Sequence, residues 1–300
     1  PTSRVCRLIL SEGDQLSGLT VDRYDDWLLV QWTSRALAAR GDVILPALQA
    51  RLQPRGIWVR TERGIGELEG LEVADGLVQG EPPPRPLFVV ENGLRFGVDV
   101  IEGQKTGFYF DQRDNRAAFA RYVAGRRVLD AFCYTGGFGL AALQLGQAEH
   151  ATCVDSSATA VETARANAEL NGLLSRCEFI KSDVAPYLEA AADRDERFGA
   201  IVLDPPKMAR TRGGLDRAAK GYVRLNRLAI GRLEPGGILA TCSCSGLVTR
   251  DDFLDILSRA ALEAGRVLQV LEQRGQASDH PVSVHCRESD YLECVIARVV

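Results

Sequence analysis

A parallel α/β domain preceded by a small α+β unit is the architecture this sequence predicts, and three observations carry it. From Arg127 onward, short apolar runs of strand type alternate with helical patterns, the signature of a parallel sheet with helices on both faces. The first of these runs ends at an acid, Asp130, and leads into the turn Tyr134-Thr135-Gly136-Gly137-Phe138-Gly139, which precedes a helix-forming stretch, Leu140 to Leu145. Strand, glycine turn and helix are the parts with which α/β domains bring backbone N–H groups against a ligand. Finally, Gly80-Glu81-Pro82-Pro83-Pro84-Arg85-Pro86 reads as a linker, because proline removes backbone donors and holds the chain extended. The expected division is residues 1–86 as the small unit and 87–300 as the larger domain.

In the small unit, Leu19–Tyr24 alternates, Asp25-Asp26 turns and Trp27–Trp32 returns, which predicts a hairpin. A helix is expected over Val43–Leu52 and a strand over Ile57–Arg60. Arg60, Arg63 and Trp58 can be read as RNA contacts, but scattered surface charge and a core aromatic account for them as well. After the linker, Leu87–Val90 and Leu94–Val98 flank Glu91-Asn92-Gly93, a strong hairpin-turn signal. The segment Gly103–Arg113 reads as a polar, glycine-bearing surface loop ahead of a helix over Asn115–Tyr122.

In the larger domain, strands are expected at Val128–Phe132, Ala151–Val154, Cys177–Ile180, Ala200–Leu203 and Ile238–Ser243, with helices between them. The helix Ala158–Leu170 is the best marked: Ser156 or Ser157 caps it and Asn171-Gly172 ends it. A further helix covers Asp251–Ala264. No helix is expected between Val267–Glu272 and Tyr291–Val299, so these pair as an antiparallel hairpin at one edge.

Composition excludes several classes. No apolar run approaches membrane-spanning length and no signal peptide opens the chain. The eight cysteines form no C-x-x-C pair and there are only three histidines, so no metal site of zinc type is expected. Cysteines within apolar strand-like runs read as reduced thiols of a cytoplasmic protein. A net charge of −4 argues against a general nucleic-acid coat but allows a local basic patch. The chain opens on Pro1 rather than Met, which reads as a processed or truncated piece.

The glycine turn is neither G-x-G-x-x-G nor G-x-x-x-x-G-K-[ST], so dinucleotide and triphosphate readings are weak. An acid ahead of glycines suits a ligand with a positive amino or sulfonium group, of which S-adenosylmethionine is one. Ligands of open α/β sheets bind at the carboxyl ends of the strands. Four acids stand at four successive ends: Asp130, Asp155, Asp183 and Asp204. Asp155, followed by Ser156, suits ribose hydroxyls. Asp183 suits an adenine amine, with Val184 offering a backbone N–H. Each acid alone is as readily a helix cap, but four converging like charges cost stability unless a ligand uses them. Phe132, Tyr134, Gly136 and Gly137 of the turn complete the expected cofactor set.

For chemistry, Asp204-Pro205-Pro206-Lys207 fixes a carboxylate in a rigid turn. Aromatic-ended versions of this turn belong to exocyclic-amine methyltransferases; Lys207 in the aromatic position disfavours that reaction. Thr241-Cys242-Ser243-Cys244-Ser245-Gly246 follows the fifth strand. C5 of a pyrimidine is a poor nucleophile until a thiolate adds to C6. Cys244 as nucleophile, Asp204 on the N3 edge and Lys207 as positive neighbour are the expected catalytic set. Strand alternation places Cys242 and Cys244 on the same side and so does not choose between them, though Cys244 lies nearer the loop. Burial of both thiols as plain strand residues is the competing reading. The segment Lys207–Arg232 holds eight basic residues (Lys207, Arg210, Arg212, Arg217, Lys220, Arg224, Arg227 and Arg232) against one acid, Asp216. It is either a footprint for RNA phosphates or a solvated helix face.

GQKTGFYFDQRDNR (103–116), LDAFCYTGGFG (129–139), DPPK (204–207) and SCSG (243–246), together with EGDQLSGLTVDRY (12–24), resemble the ribosomal RNA large subunit methyltransferase I family. The resemblance implies a class I methyltransferase (Rossmann-like) sheet, S-adenosylmethionine as cofactor and formation of 5-methylcytosine in 23S rRNA. It assigns the nucleophile to Cys244 and has Arg113 or its neighbours help hold the methionine end of the cofactor. It also implies an upstream PUA-type RNA-binding domain, in keeping with the non-Met start. RNA is the expected partner and a membrane is not; the sequence leaves a homodimer open. A 5-methyluridine methyltransferase is the nearest alternative, although those resemble S-C-N-P rather than S-C-S-G. A non-catalytic RNA-binding protein on the same fold is the more distant one.

Overall fold

The computed structural model describes residues 4–61, 68–71, 74–101, 107–209 and 211–300. Gly103–Thr106 of the expected loop, Arg63 and Arg210 lie outside the described residues. The chain divides into two compact units, Pro1–Arg113 with Ala277–Ser289, and Asp114–Gln276 with Asp290–Val300. Among the described residues no helix is long and apolar enough to cross a membrane.

In the first unit, strands β1 (Val5–Leu10), β2 (Leu19–Tyr24), β3 (Trp27–Trp32), β4 (Gly56–Thr61) and β5 (Gly76–Gly80) lie in sequence order in one sheet. The expected hairpin is β2–β3, in the register Leu19↔Trp32 through Tyr24↔Trp27. Asp25 sits at φ 58 in its turn, a conformation short polar residues tolerate. The chain crosses from β3 to the parallel β4 through helices α1 (Arg35–Ala38) and α2 (Gly41–Leu52). Alternation then explains the core: Leu19, Val21, Leu28, Val30, Trp32, Ile57 and Val59 turn inward, and Ile44, Leu45, Leu48 and Leu52 of α2 pack on them. Asp22 is fully buried and accepts two bonds from Arg7, at 2.7 and 2.8 Å.

Strands β6 (Leu87–Glu91) and β7 (Leu94–Val98) form the second expected hairpin. Asn92 and Gly93 both take positive φ, 50 and 80°, as a two-residue turn matched to strand twist requires. Beyond it, the surface-loop expectation fails for Phe108 and Phe110, which are buried. Their rings link Phe96 (5.0 Å), each other (5.7 Å) and Tyr24 (4.9 Å) into one aromatic row. Alternate aromatics in a polar context bury themselves because each removes a large apolar area from water.

The second unit begins at Asp114, within helix α3 (Arg113–Ala120), and is built on a seven-stranded sheet. Its strands are β8 (Arg127–Ala131), β9 (His150–Asp155), β10 (Cys177–Lys181), β11 (Phe198–Leu203), β12 (Leu233–Ser243), β13 (Leu268–Arg274) and β14 (Glu293–Val299), in the order β10-β9-β8-β11-β12-β14-β13. The first five are parallel; β14 is antiparallel to both neighbours. All five parallel strands thus form where the apolar runs place them. Val267–Glu272 and Tyr291–Val299 pair antiparallel at one edge of the sheet, as expected. β14 lies inside, between β12 and β13, and the connection runs through residues of the first unit.

Helices α4 (Gly137–Gln144) and α5 (Ala158–Leu170) follow β8 and β9. Helices α6 (Val184–Asp193), α7 (Leu215–Arg232) and α8 (Arg250–Glu263) share one core with the sheet. In that core Tyr187, Leu188, Tyr222, Val223, Phe253 and Ile256 cover Leu129, Ile201, Leu203 and Leu239. Helix α5 has the expected limits: the Ser157 hydroxyl accepts from Ala160 N (3.3 Å) and Asn171 is the C-cap. Strand order reverses direction between β8 and β11, and that switch point is where an open sheet of this kind presents a crevice.

Candidate active site

The glycine turn springs from β8 at the switch point. Ala131 pairs with Val154 of β9 on one side and Leu203 of β11 on the other, so the three strands end level. Immediately beyond, Phe132 and Tyr134 take φ 65 and 47°, and Gly136 takes 83°. Left-handed backbone at two bulky residues costs on the order of 1–3 kcal/mol each and persists only where the surroundings enforce it, commonly at ligand sites. Phe132 and Tyr134 are half-buried while the rest of the turn is buried. Side chains of β9 and α5 help hold the turn. Tyr134 N donates to Asp155 Oδ2 (3.0 Å), and the buried Asn167 of α5 donates to Thr135 O (3.1 Å). Space is tight at two of its glycines, most of all at Gly139. A Cβ on Gly139 would lie 2.9 Å from Cys153 Sγ, and one on Gly137 would lie 3.1 Å from Arg116 Cδ.

Asp130 is fully buried beneath this turn. Its Oδ2 accepts from Gly139 N at 2.7 Å, while Oδ1 is buried with no hydrogen-bond partner. Burial pushes its carboxyl from the ordinary 3.8 up to about 7; the Gly139 N–H opposes this, and the carboxylates of Asp204 and Asp155 add to it. The three acids stand at the ends of the neighbouring strands β8, β9 and β11. An orphaned buried oxygen is costly unless a donor or cation reaches it. The bare turn and the orphaned oxygen therefore fit a positively charged ligand such as S-adenosylmethionine.

Asp155 uses Oδ2 on Tyr134 N and Oδ1 on Ser157 N (2.9 Å), which orients both oxygens at the end of β9; Ser156 beside it is exposed. Each oxygen keeps a second acceptor position. Asp183 stands at the N-cap of α6, yet its side chain makes no cap bond and is exposed, so capping does not account for it. Val184 is the first helical residue of α6, where a backbone N–H has no intrahelical acceptor.

The catalytic candidates follow β11 and β12. Asp204 is half-buried and its N–H donates to Ala131 O (3.4 Å), tying it to the end of β8. Lys207 is exposed. Leu203 pairs with Thr241, so Asp204 is level with Cys242. Cys242 lies within β12, opposite Cys294, and is fully buried. Cys244 lies one residue past the strand, is half-buried, and its Sγ–H points to Pro205 O at 3.8 Å. Burial thus separates two thiols that spacing could not.

Arg113 belongs to the first unit. Its guanidinium pairs with Asp279 (2.9 Å), which also meets His280 Nδ1 (3.0 Å) and Arg7 N (3.1 Å), and it donates to Val5 O (3.3 Å). Among its neighbours, Arg116 of α3 is buried against the glycine turn, 6.0 Å over the Phe138 ring. Nothing in the local pattern singled out Arg116 or Asn167; their burial as polar residues identifies them. Of the basic segment, Arg224 pairs with Glu189 (2.7 Å) and Arg227 with Glu263 (3.9 Å). Lys207, Arg212, Arg217 and Lys220 are exposed and, among the described residues, have no acid partner.

A family model for S-adenosylmethionine-dependent methyltransferases matches residues 72–283. The ribosomal RNA large subunit methyltransferase I of Klebsiella pneumoniae (strain 342) is 45% identical over 295 residues, covering 98% of this chain and 74% of that protein. The protein of the same name from Aeromonas salmonicida (strain A449) is 44% identical over 293 residues, covering 97% and 74%. The crystal structure of SMU.776, described as a methyltransferase complexed with SAH, superposes with a TM-score of 0.86 at 24% identity, covering 99% of this chain and 75% of that one, and shows the fold. The chain belongs to the ribosomal RNA large subunit methyltransferase I family of S-adenosylmethionine-dependent methyltransferases.

Proposed function

We infer that the chain methylates C5 of a cytosine in 23S rRNA through a covalent bond from Cys244 to C6. The observation that carries this reading is the half-exposed Cys244 thiol beside the Asp204–Lys207 turn, with the alternative thiol of Cys242 sealed in the sheet. Bound at the glycine turn, S-adenosylmethionine supplies an electrophilic methyl group. Phe132, Tyr134, Gly136 and Gly137 line its place, Asp130 and Arg116 set the charge there, Asp155 and Ser156 take the ribose, and Asp183 with the Val184 N–H takes the adenine edge. Arg113 is kept in this set only through the family resemblance.

The chemistry of the chain's own groups is as follows. The Cys244 thiolate, favoured by the positive charge of Lys207, forms a bond to C6, and the C5–C6 π electrons become available at C5. Asp204 in its acid form donates its proton to N3 as the thiolate adds, which neutralises the charge that addition develops in the ring, and takes that proton back when the thiolate leaves. C5 would take the methyl group as that group's bond to the sulfonium sulfur breaks and the electron pair stays on sulfur, and C5 then loses its proton to a base. The electrons of that C–H bond restore the double bond as the C6–S bond breaks and the thiolate leaves. Exposed Lys207, Arg212, Arg217 and Lys220 supply positive charge for the RNA phosphates, whereas Arg224 and Arg227 are occupied by acids.

The test is Cys244→Ala. Methyl transfer to 23S rRNA is expected to stop while S-adenosylmethionine binding, read by calorimetry, is retained. RNA carrying 5-fluorocytosine is expected to trap an adduct that peptide mapping assigns to Cys244. Turnover undiminished in the variant, or an adduct on Cys242, removes this mechanism.

A further inference from the structure

Helix α7 carries a fully buried tyrosine, Tyr222, whose hydroxyl lies between the two serines that flank Cys244. Ser243 Oγ donates to Tyr222 Oη at 3.0 Å, and Tyr222 Oη lies 3.2 Å from Ser245 Oγ. Two backbone amides complete the group: Ala209 N donates to Ser245 Oγ (3.2 Å), and Ser245 N reaches Ser243 Oγ at 3.4 Å. Both serines, the tyrosine and Ala209 are buried, so water does not compete for these bonds. The protons can be placed consistently: Ser243 gives its own to Tyr222, and Tyr222 gives its own to Ser245. The tyrosine ring is fixed in turn, edge-on to Phe253 at 5.7 Å and 81°.

The consequence concerns Cys244. With the residues on either side drawn inward to one hydroxyl, the residue between them is turned away from that hydroxyl. Cys244 is accordingly half-buried while Ser243 and Ser245 are sealed. The Ser245 oxygen, held by that hydroxyl, also joins the two segments of the candidate active site. Ser245 belongs to the exit of β12, and Ala209 closes the stretch that begins with Asp204-Pro205-Pro206-Lys207. Pro205 and Pro206 have no backbone donor, so the Ala209 amide is one of the bonds that hold this stretch.

We propose that Tyr222 is a positioning residue that, through Ser243, Ser245 and the Ala209 amide, fixes the Cys244 thiol relative to Asp204 and Lys207. It touches no reacting atom. Its effect is on how often the thiol is held within bonding reach of a ring seated at Asp204, where a misplacement of about 1 Å can cost on the order of 100-fold in rate. The proposal rests on Cys244 being the nucleophile.

The experiment compares the parent, Tyr222→Phe, Ser245→Ala and the double variant. The phenylalanine keeps the ring packing and removes only the hydroxyl. Each is assayed for S-adenosylmethionine affinity, for KM and kcat on RNA, and for the rate of adduct formation with 5-fluorocytosine RNA below its melting temperature. Tyr222→Phe is expected to slow adduct formation and kcat at least tenfold, with KM and cofactor affinity within twofold of the parent. Ser245→Ala is expected to lower the same two rates, and the double variant to be little slower than the slower single one, because both break one linkage. A purely structural role lowers the melting temperature and the folded fraction without moving the rates per folded molecule; that result overturns the proposal. So does a parent-like adduct rate in Tyr222→Phe, or additive losses in the double variant. Failure of the parent itself to form an adduct at Cys244 instead overturns the covalent mechanism, and the proposal with it.

Discussion

Replacing Asp130 by Asn changes the charge of one buried carboxyl and little else, and its effect must depend on pH. The folded protein holds the Asp130 proton up to about pH 7, whereas the unfolded chain releases it near 3.8. Between those values the folded state binds more protons, so stability from this group is complete below about pH 4 and is lost as pH rises through 7. The span from 3.8 to about 7 corresponds to about 4 kcal/mol at roughly 1.4 kcal/mol per pH unit. The amide of the Asp130→Asn variant cannot ionise. The stability of the variant relative to the parent should therefore climb by about that much between pH 4 and pH 8, while pH-dependent contributions from other groups cancel in the difference. Trp27, Trp32 and Trp58, the only tryptophans, all lie in the first unit, so fluorescence would follow the wrong part of the chain. Hydrogen exchange of the β8 and β11 amides in graded urea reads the second unit directly. A difference that stays constant across this pH range refutes the argument. The linkage extends to the ligand: a cation beside the carboxyl favours its ionised form, so S-adenosylmethionine affinity should rise with pH through 7 in the parent and stay flat in the variant.

Gly139→Ala places a methyl group 2.9 Å from Cys153 Sγ and 3.2 Å from Asp130 Oδ2, in a site with no slack. Overpacking of this kind costs about 1–3 kcal/mol, and the melting temperature should fall together with cofactor affinity; no change in either means the turn relaxes freely. Arg217→Ala with Lys220→Ala should weaken RNA binding and make its dependence on log salt shallower by about 0.7–0.9 for each phosphate that is no longer neutralised. Arg224→Ala with Arg227→Ala removes cations already paired with Glu189 and Glu263 and should leave that slope unchanged; equal slopes for the two pairs contradict the assignment.

The parts legible in the sequence are those whose cause is local. Helix α5 begins and ends where expected because Ser157 supplies its own cap bond and Gly172 takes φ 68 just past the C-cap. The β2–β3 and β6–β7 turns follow from Asp25-Asp26 and Asn92-Gly93 in the same way. What the sequence concealed depends on partners distant along the chain. Phe108 and Phe110 read as loop aromatics until Phe96 and Tyr24 converge on them. Between β13 and β14 the chain passes through 277–289, which belong to the other compact unit, and no pattern within 267–299 signals that excursion. Arg116, Asn167 and Tyr222 escaped for a shared reason. A polar residue on a helix announces nothing until the structure shows it buried with its hydrogen bonds directed at one turn.

The two thiols show where alternation stops being informative. Within a strand, residues two apart share a side, and that rule alone would bury Cys242 and Cys244 together. The rule holds only while the ladder continues, and β12 ends at Ser243, paired with Glu293. Cys242 remains inside the ladder opposite Cys294, closed on both sides, so a base could reach it only if the sheet opened. Cys244 stands past the last rung, where its direction is set by neither pleat nor partner strand but by what holds Ser243 and Ser245. The proposed choice of Cys244 over Cys242 as nucleophile is in this sense a property of the strand end. Adding a rung to the β12–β14 ladder would bury Cys244 and abolish adduct formation with every catalytic side chain still present.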